Sequence, residues 1–411
     1  MKIVPSLLLF LASGLSSILI KGDDPIINRS FDRAESQYTQ MLRVNPNTTA
    51  YPRTTDTNGK LVTTPLNDWT EGFYPGCLWY VYENNPTDQW KAEAIRWTEA
   101  LEPLKKQTGH HDIGFLIYCS FGNAYRLTQD EKYKPIIVEA ANSLCTRFSP
   151  VTGCIKSWNY RKSWNGRDKW FYPVIIDNMM NLELLYFASK VTGNPKYAQV
   201  ANTHALTTAR EQFRKDYSNY HVVNYDPETG KALHKQTCQG FSDNSAWARG
   251  QAWAIYGFTM AYRETRNPEF LKVAQGTAEF WINHPNLPKD YIPYWDFNAG
   301  QKGYTSDWKY DASQFKPVPR DASAAAITAS ALFELSQYVD ARTSKRYYEV
   351  AVKTLRSLAS PAYLAKTGTN ANFVLKHSVG SIPHQNEIDV PLIYADYYFL
   401  EALHRYRNTL K

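Results

Sequence analysis

Four times along the chain a polar residue leads into an aromatic two or three positions later, and an alanine follows that aromatic by four. The sets are Asp88 with Trp90 and Ala94, Asn194 with Tyr197 and Ala201, Asn267 with Phe270 and Ala274, and Ser344 with Tyr347 and Ala351. Asp, Asn and Ser favour helix starts because their side-chain oxygen accepts an early, otherwise unpaired backbone N–H. An aromatic and an alanine four apart share one helical face. Each set therefore predicts the first turns of an amphipathic helix. Asp130-Glu131-Lys132-Tyr133 opens a related helix with looser spacing, and another is predicted from near Phe31 to Val44. Between them lie segments of another kind, apolar and aromatic all round, starting at about Gly72, Asp112, Asn178, Trp247, Asp321 and Pro391. A helix that is apolar all round must be enclosed by others. About twelve helices alternating in this way predict an all-α fold, an (α/α)6 double ring of six inner and six outer helices. A solenoid of helix pairs shows the same alternation, but the long aromatic loops 152–173, 216–246 and 285–320 favour a closed ring with a site at its mouth.

Loops entering the inner helices of such a ring converge at one end. Two carboxylates stand at such entries: Asp112 in Gly109-His110-His111-Asp112-Ile113-Gly114-Phe115 and Asp177 in Ile175-Ile176-Asp177-Asn178. Either alone is explained by capping. Together, with His110 and His111 beside one and Trp158 and Trp164 upstream of the other, they point to acid–base chemistry. The chain holds 12 Trp and 29 Tyr, an excess that suits the flat faces of sugars. A net charge of +7 with no block of Lys or Arg favours a small anionic ligand and excludes a nucleic-acid arm. His110-His111-Asp112 lacks the i, i+4 spacing of a helical zinc pair, and the five cysteines show no CxxC, so no metal is expected. A bridge between Cys145 and Cys154 stays open. No G-x-S-x-G elbow supports a serine hydrolase.

Met1-Lys2 and the apolar run from Ile3 to Ile20 read as a signal peptide over 1–22, which predicts an exported, periplasmic protein. Pro5, Gly14 and the serines within the run weigh against a membrane anchor, and stable membrane insertion of the mature protein is not expected. No low-complexity linker follows, so 23–411 is read as a single catalytic domain.

Several motifs in fixed order resemble the unsaturated glucuronyl hydrolases, glycoside hydrolase family 88. They are Asn67-Asp68-Trp69-Thr70-Glu71-Gly72-Phe73, His111-Asp112-Ile113-Gly114-Phe115, Ile176-Asp177-Asn178-Met179-Met180-Asn181-Leu182, Tyr220-His221, Gln239-Gly240, Trp247-Ala248-Arg249-Gly250-Gln251-Ala252-Trp253, Pro293-Tyr294-Trp295-Asp296-Phe297 and Glu387-Ile388-Asp389-Val390-Pro391. The resemblance implies an (α/α)6 barrel that needs no cofactor or metal. It implies hydration of the C4=C5 bond of a terminal unsaturated uronic acid in lyase-generated oligosaccharides, with glycosaminoglycan disaccharides as substrate. It further implies that Asp177 is the general acid and base and Asp112 the second essential aspartate. His221, Gln239, Arg249 and Trp253 fall on positions around the unsaturated ring and its carboxylate, and Arg249 offers planar charge-assisted donors there. His111 and Trp158 match further sugar contacts. Ser378 and Ser381 match a spacing in the sulfate or second-sugar region. Competing readings are an unsaturated rhamnogalacturonyl hydrolase, an inverting glycosidase with carboxylates about 6.5–9.5 Å apart, and a non-catalytic envelope sugar-binding protein. Asp68, Trp69, Glu71, Asp321 and Asp389 are read as mouth-lining or capping groups. Oligomeric state is left open.

Overall fold

A computed structural model describes residues 24–410; the predicted signal segment 1–22 lies outside them. Six amphipathic helices form the outer ring: α1 (Pro25–Val44), α3 (Asp88–Glu99), α5 (Tyr133–Cys145), α7 (Pro195–Glu211), α9 (Pro268–Asn283) and α11 (Ala341–Leu358). Asn194 and Asn267 cap α7 and α9 as expected, each followed by a proline whose fixed φ suits the first helical position. Elsewhere the start moves. Thr87, not Asp88, caps α3, and Lys132 begins α5 without a side-chain cap. Asp340 caps α11 by accepting from Arg342 and Thr343, which leaves Ser344 inside the helix. Helix α1 begins at Pro25 behind its cap Asp24, well before Phe31.

The inner ring is α2 (Phe73–Asn84), a π-helix (Gly114–Gly122) running into α4 (Asn123–Thr128), a 3₁₀ turn (Ile176–Asn181) running into α6 (Leu182–Thr192), α8 (Ala248–Thr265), α10 (Ala322–Leu335) and α12 (Ile393–Leu410). All 14 residues of α10 are buried, which its run of alanines permits, because small side chains let neighbouring helices close on every side. Helix α11 instead buries Tyr347, Val350, Ala351, Thr354, Leu355 and Leu358, one stripe at helical spacing. Burial of each of Val350, Leu355 and Leu358 contributes roughly 1.5–3 kcal/mol. One apolar cluster runs from Ile26 to Tyr406 and takes in both rings.

Among the described residues, strands occur only as short ribbons in the loops. The three-stranded one positions the site: Tyr172–Ile175 pairs antiparallel with Val222–Tyr225, which pairs with Ala232–Gln236. Its register sets Ile175 against Val222, and Ile176 N donates to His221 O at 3.1 Å. Asp177, His221 and Gln239 thus leave adjacent strand ends at one mouth. Two glycines draw the inner helices together there. A Cβ on Gly72 would lie 2.0 Å from Phe115 O, and one on Gly114 would lie 2.6 Å from Asn181 Cα. No described helix is long and apolar enough to cross a membrane, and all five cysteines are free thiols.

Candidate active site

Where the inner helices begin, a cavity of about 280 Å³ opens, near the lower end of the range of about 300–1,000 Å³ typical of ligand sites. His111, Asp112, Trp158, Asp177, Gln239, Arg249 and Ser381 line it. Asp177 sits on the first turn of the 3₁₀ segment and caps nothing. It is 8% exposed, and burial raises its pKa to about 7; the opposing charge of Arg249 lowers it and the charge of Asp112 adds to the rise. The Trp253 indole N–H makes no hydrogen bond of good geometry yet lies close enough to favour the charged form. His221 lies behind, its Nε2 3.7 Å from Asp177 Oδ2. Its Nδ1 accepts two backbone N–H groups, from Cys238 at 3.0 Å and Gln239 at 3.1 Å. Two donors on Nδ1 leave the proton on Nε2, facing Asp177. Burial and then the charge of Arg249 push the His221 pKa well down, so the neutral Nε2–H tautomer is the working form.

Asp112 also caps nothing, since the π-helix begins without a side-chain cap. His110 Nδ1 stands 3.1 Å from Oδ2 and His111 Nε2 3.3 Å from Oδ1. Burial drives the His111 pKa to about 4, so His111 is neutral near pH 7 and does not form an ion pair there. Burial pushes Asp112 upward, yet the cationic neighbours outweigh it and hold the carboxyl below its usual range. That pull comes first from His111, which is charged in the acid range where Asp112 titrates, and then from His110 and Arg147. One carboxyl is therefore protonatable near pH 7 and the other ionised, the division of labour that acid–base catalysis requires.

Arg249 is 1% exposed and wedged against the rings of Trp247, at 4.5 Å, and Tyr394, at 5.4 Å. Nη1 donates to Asp321 Oδ2 at 3.3 Å and to Val379 O, and Nη2 donates to Gly380 O at 2.6 Å. Nε has no partner. Of five guanidinium N–H groups, two are left for a ligand, and the rest tie α8 to the strand Ser378–Ser381 and the start of α10. Trp253 is fully buried behind Asp177. Ser381 reaches the cavity with Oγ 2.6 Å from His384 Nδ1, whereas Ser378 is fully buried away from it.

The cavity also takes in Arg53, Trp69, Arg161, His384, Glu387 and Tyr394, of which only Trp69 and Glu387 lie in the motifs. Arg53 is held by Glu387, at 2.5 and 3.2 Å, and by Asp68. Arg161 stacks over Trp158 at 4.6 Å at the base of a hairpin, Arg161–Lys162 with Lys169–Trp170. Trp164 at the hairpin tip packs on His384 at 4.7 Å and donates to Cys238 O at 3.0 Å. The Tyr394 hydroxyl is buried without a partner. Trp69 lines the mouth, Asp321 caps α10 through Ser323 and Ala324, Glu71 accepts from Asp68 N at 2.6 Å, and Asp389 meets His377 at 2.7 Å. A larger cavity, of about 500 Å³, opens at the opposite end of the barrel, but its charges neutralise one another: Arg263 with Glu183 and Glu334, Arg405 with Glu334, and Arg126 with Glu83.

A double ring of helices whose mouth holds two buried carboxylates among tryptophans and cations has the architecture of a glycan-cleaving enzyme of the (α/α)6 class. The sequence model of Glycosyl Hydrolase Family 88 matches residues 43–399, and the chain belongs to that family. An unsaturated glucuronyl hydrolase of Formosa agariphila is 43% identical over 392 residues, 95% of this chain and 93% of that protein. The crystal structure of an unsaturated glucuronyl hydrolase specific for heparin matches with a TM-score of 0.87 at 43% identity, over 94% of this chain and 98% of that one. A mutant of the Streptococcus agalactiae enzyme, solved with dGlcA-GalNAc6S, matches with a TM-score of 0.74 at 30% identity, over 93% of this chain and 91% of that one.

Proposed function

We propose that this protein hydrates the C4=C5 double bond of a terminal unsaturated uronic acid in lyase-generated glycosaminoglycan disaccharides, and so releases the adjoining sugar. The observation that carries this reading is the pair itself, Asp177 with a pKa near 7 beside an Asp112 held ionised. Asp177 gives its proton to C4. Positive charge then develops at C5 and the ring oxygen, and the ionised pair of carboxylates stabilises it. Water adds at C5 and returns a proton to Asp177, which leaves a hemiketal that opens and expels the neighbouring sugar. Asp112 holds ring hydroxyls, and the Nε2–H of His221 steadies Asp177 once it is ionised. Trp158 offers a flat face, and Arg161, stacked on it with no carboxylate partner among the described residues, adds a positive charge suited to an anionic sugar.

The heparin-specific relative and the dGlcA-GalNAc6S complex support a glycosaminoglycan substrate. The test is a panel of unsaturated disaccharides from chondroitin, hyaluronan and heparin, with an unsaturated pectin fragment and a saturated disaccharide beside them. Turnover confined to the unsaturated glycosaminoglycan members is expected. Turnover of the pectin fragment alone would move the assignment to rhamnogalacturonyl hydrolysis, and cleavage of the saturated sugar would make it an ordinary glycosidase. We further infer export through residues 1–22 and a single catalytic domain over 23–411. Periplasmic recovery of a chain whose N-terminus lies near residue 23 is the expected outcome, and recovery of the full chain in the cytosol would refute export.

A further inference from the structure

Behind the loop that carries His110, His111 and Asp112 lies a separate cavity of about 290 Å³. Two short strands form its wall, Phe148–Ser149 and Cys154–Ile155, with Phe148 opposite Ile155. One step beyond that pair stand Arg147 and Lys156, joined by Lys156 N donating to Arg147 O at 2.9 Å. Residues directly opposite in an antiparallel pair project to one face, and like charges there are destabilising. Both cations line the cavity, and neither meets a carboxylate in an ion pair among the described residues.

Arg147 is 7% exposed. Its Nε donates to Lys156 O at 2.7 Å, Nη1 to Thr108 O, and Nη2 weakly to Asn159 Oδ1 at 3.5 Å, which leaves two of its five N–H groups without a partner. Lys156 only faces the ring of Tyr172, 5.6 Å from its Nζ. Both pKa values lie below the usual range, through burial first and, for Lys156, the charge of Arg147 next. Asp112 acts on Arg147 only from beyond ion-pair distance, and a largely buried guanidinium beside a half-buried ammonium, neither touching a carboxylate among the described residues, departs from the rule that buried charges are paired. Hydroxyls of Thr108, Thr146 and Ser149 complete the rim.

We propose that this cavity is an oxyanion site that takes a sulfate group, either the free dianion or the monoanionic sulfate ester of a sugar, between Arg147 and Lys156. A tetrahedral oxyanion supplies the missing charge and accepts from the fork of Arg147, the point charge of Lys156 and the hydroxyls of Thr108 and Ser149, while the Thr146 hydroxyl donates to Ser143 O at 2.7 Å. Because Arg147 also holds Thr108 O, an occupied site braces the loop that presents Asp112.

The test is thermal unfolding of the full chain against sodium sulfate, with sodium chloride at matched ionic strength as reference. It is repeated for Lys156→Met and for Arg161→Met, which perturbs the mouth cavity instead. The general stabilisation by sulfate rises without saturating, so a saturable rise in Tm marks a site. The expected result is a saturable rise in the parent and in Arg161→Met, with affinity at least tenfold weaker in Lys156→Met. Without sulfate, Lys156→Met should match or exceed the parent Tm, because a repelled charge has been removed. A second titration with a sulfated saturated disaccharide and its unsulfated counterpart separates the sources: saturation by inorganic sulfate identifies the free anion, and saturation by the sulfated sugar alone identifies the ester. Equal titration of Lys156→Met and the parent, or no saturable rise with either probe, would overturn the proposal.

Discussion

At residue scale the site turns on two aspartates that burial alone would treat alike. Asp177 keeps the rise that desolvation imposes, to about 7, because Arg249 is largely engaged elsewhere. Asp112 loses it to His111, His110 and Arg147. Below pH 3.8 the Asp177 carboxyl is protonated in the folded and unfolded chain alike and does not affect stability. As pH climbs from there toward 7 the unfolded chain ionises first, so folding loses up to roughly 4 kcal/mol, fully by about pH 8. Asp177→Asn should therefore be more stable than the parent by about 1–3 kcal/mol at pH 8 and gain less at pH 5, measured by urea unfolding at both. The rate of the proposed reaction should fall about tenfold per pH unit above 7, as Asp177 loses the proton it donates, and hold well into acid because Asp112 stays ionised. His221 should be neutral near pH 7 with its proton on Nε2, because burial holds its pKa well below the ordinary value, and nitrogen-15 shifts of the ring would show this directly. The two aspartates were legible because each sits in a compact motif. Arg161, His384 and Tyr394 were not, since each reaches the mouth from a different loop or helix start and has no neighbour in sequence to mark it.

At the scale of elements, helix type was easier to read than helix start. Asn194 and Asn267 announce their helices through the proline that follows. Ser344 misled, because Asp340 four residues earlier offers the same cap with a carboxylate that accepts two N–H groups. The short strand ribbons carried no period long enough to detect, yet they are what bring His221 opposite Asp177. Ser378 illustrates a limit of motif transfer: alternation along its strand turns Ser381 to the cavity and encloses Ser378. Gly114 makes the sharpest prediction at this scale. Phe115 N donates to Asn181 Oδ1 at 3.0 Å, so the Asp112 loop and the Asp177 turn are locked together at a point where a Cβ would overlap Asn181. Gly114→Ala should cost about 1–3 kcal/mol by overpacking. It should also lower kcat more than stability alone explains, measured under conditions where the variant is fully folded.

For the whole molecule, the alternation of amphipathic and wholly apolar helices already implied a ring within a ring, and the inner-helix starts fell within a few residues of where they were expected. What alternation could not reveal was which end of the barrel is the working end. Electrostatics separates the two: at the lower cavity even the half-buried Glu183 carboxyl is bound by Arg263, whereas at the mouth Asp177 meets no arginine or lysine in an ion pair and Arg161 meets no carboxylate, among the described residues. The central claim is that the mouth hydrates a double bond with Asp177 as its acid. The most direct measurement follows the ultraviolet absorbance of the conjugated C4=C5 bond in an unsaturated chondroitin or heparin disaccharide, with the parent protein and with Asp177→Asn. The account predicts steady loss of absorbance with the parent and a rate at least 10²–10⁴-fold lower in the variant; absorbance that persists with the parent, or that decays equally in both, would contradict it.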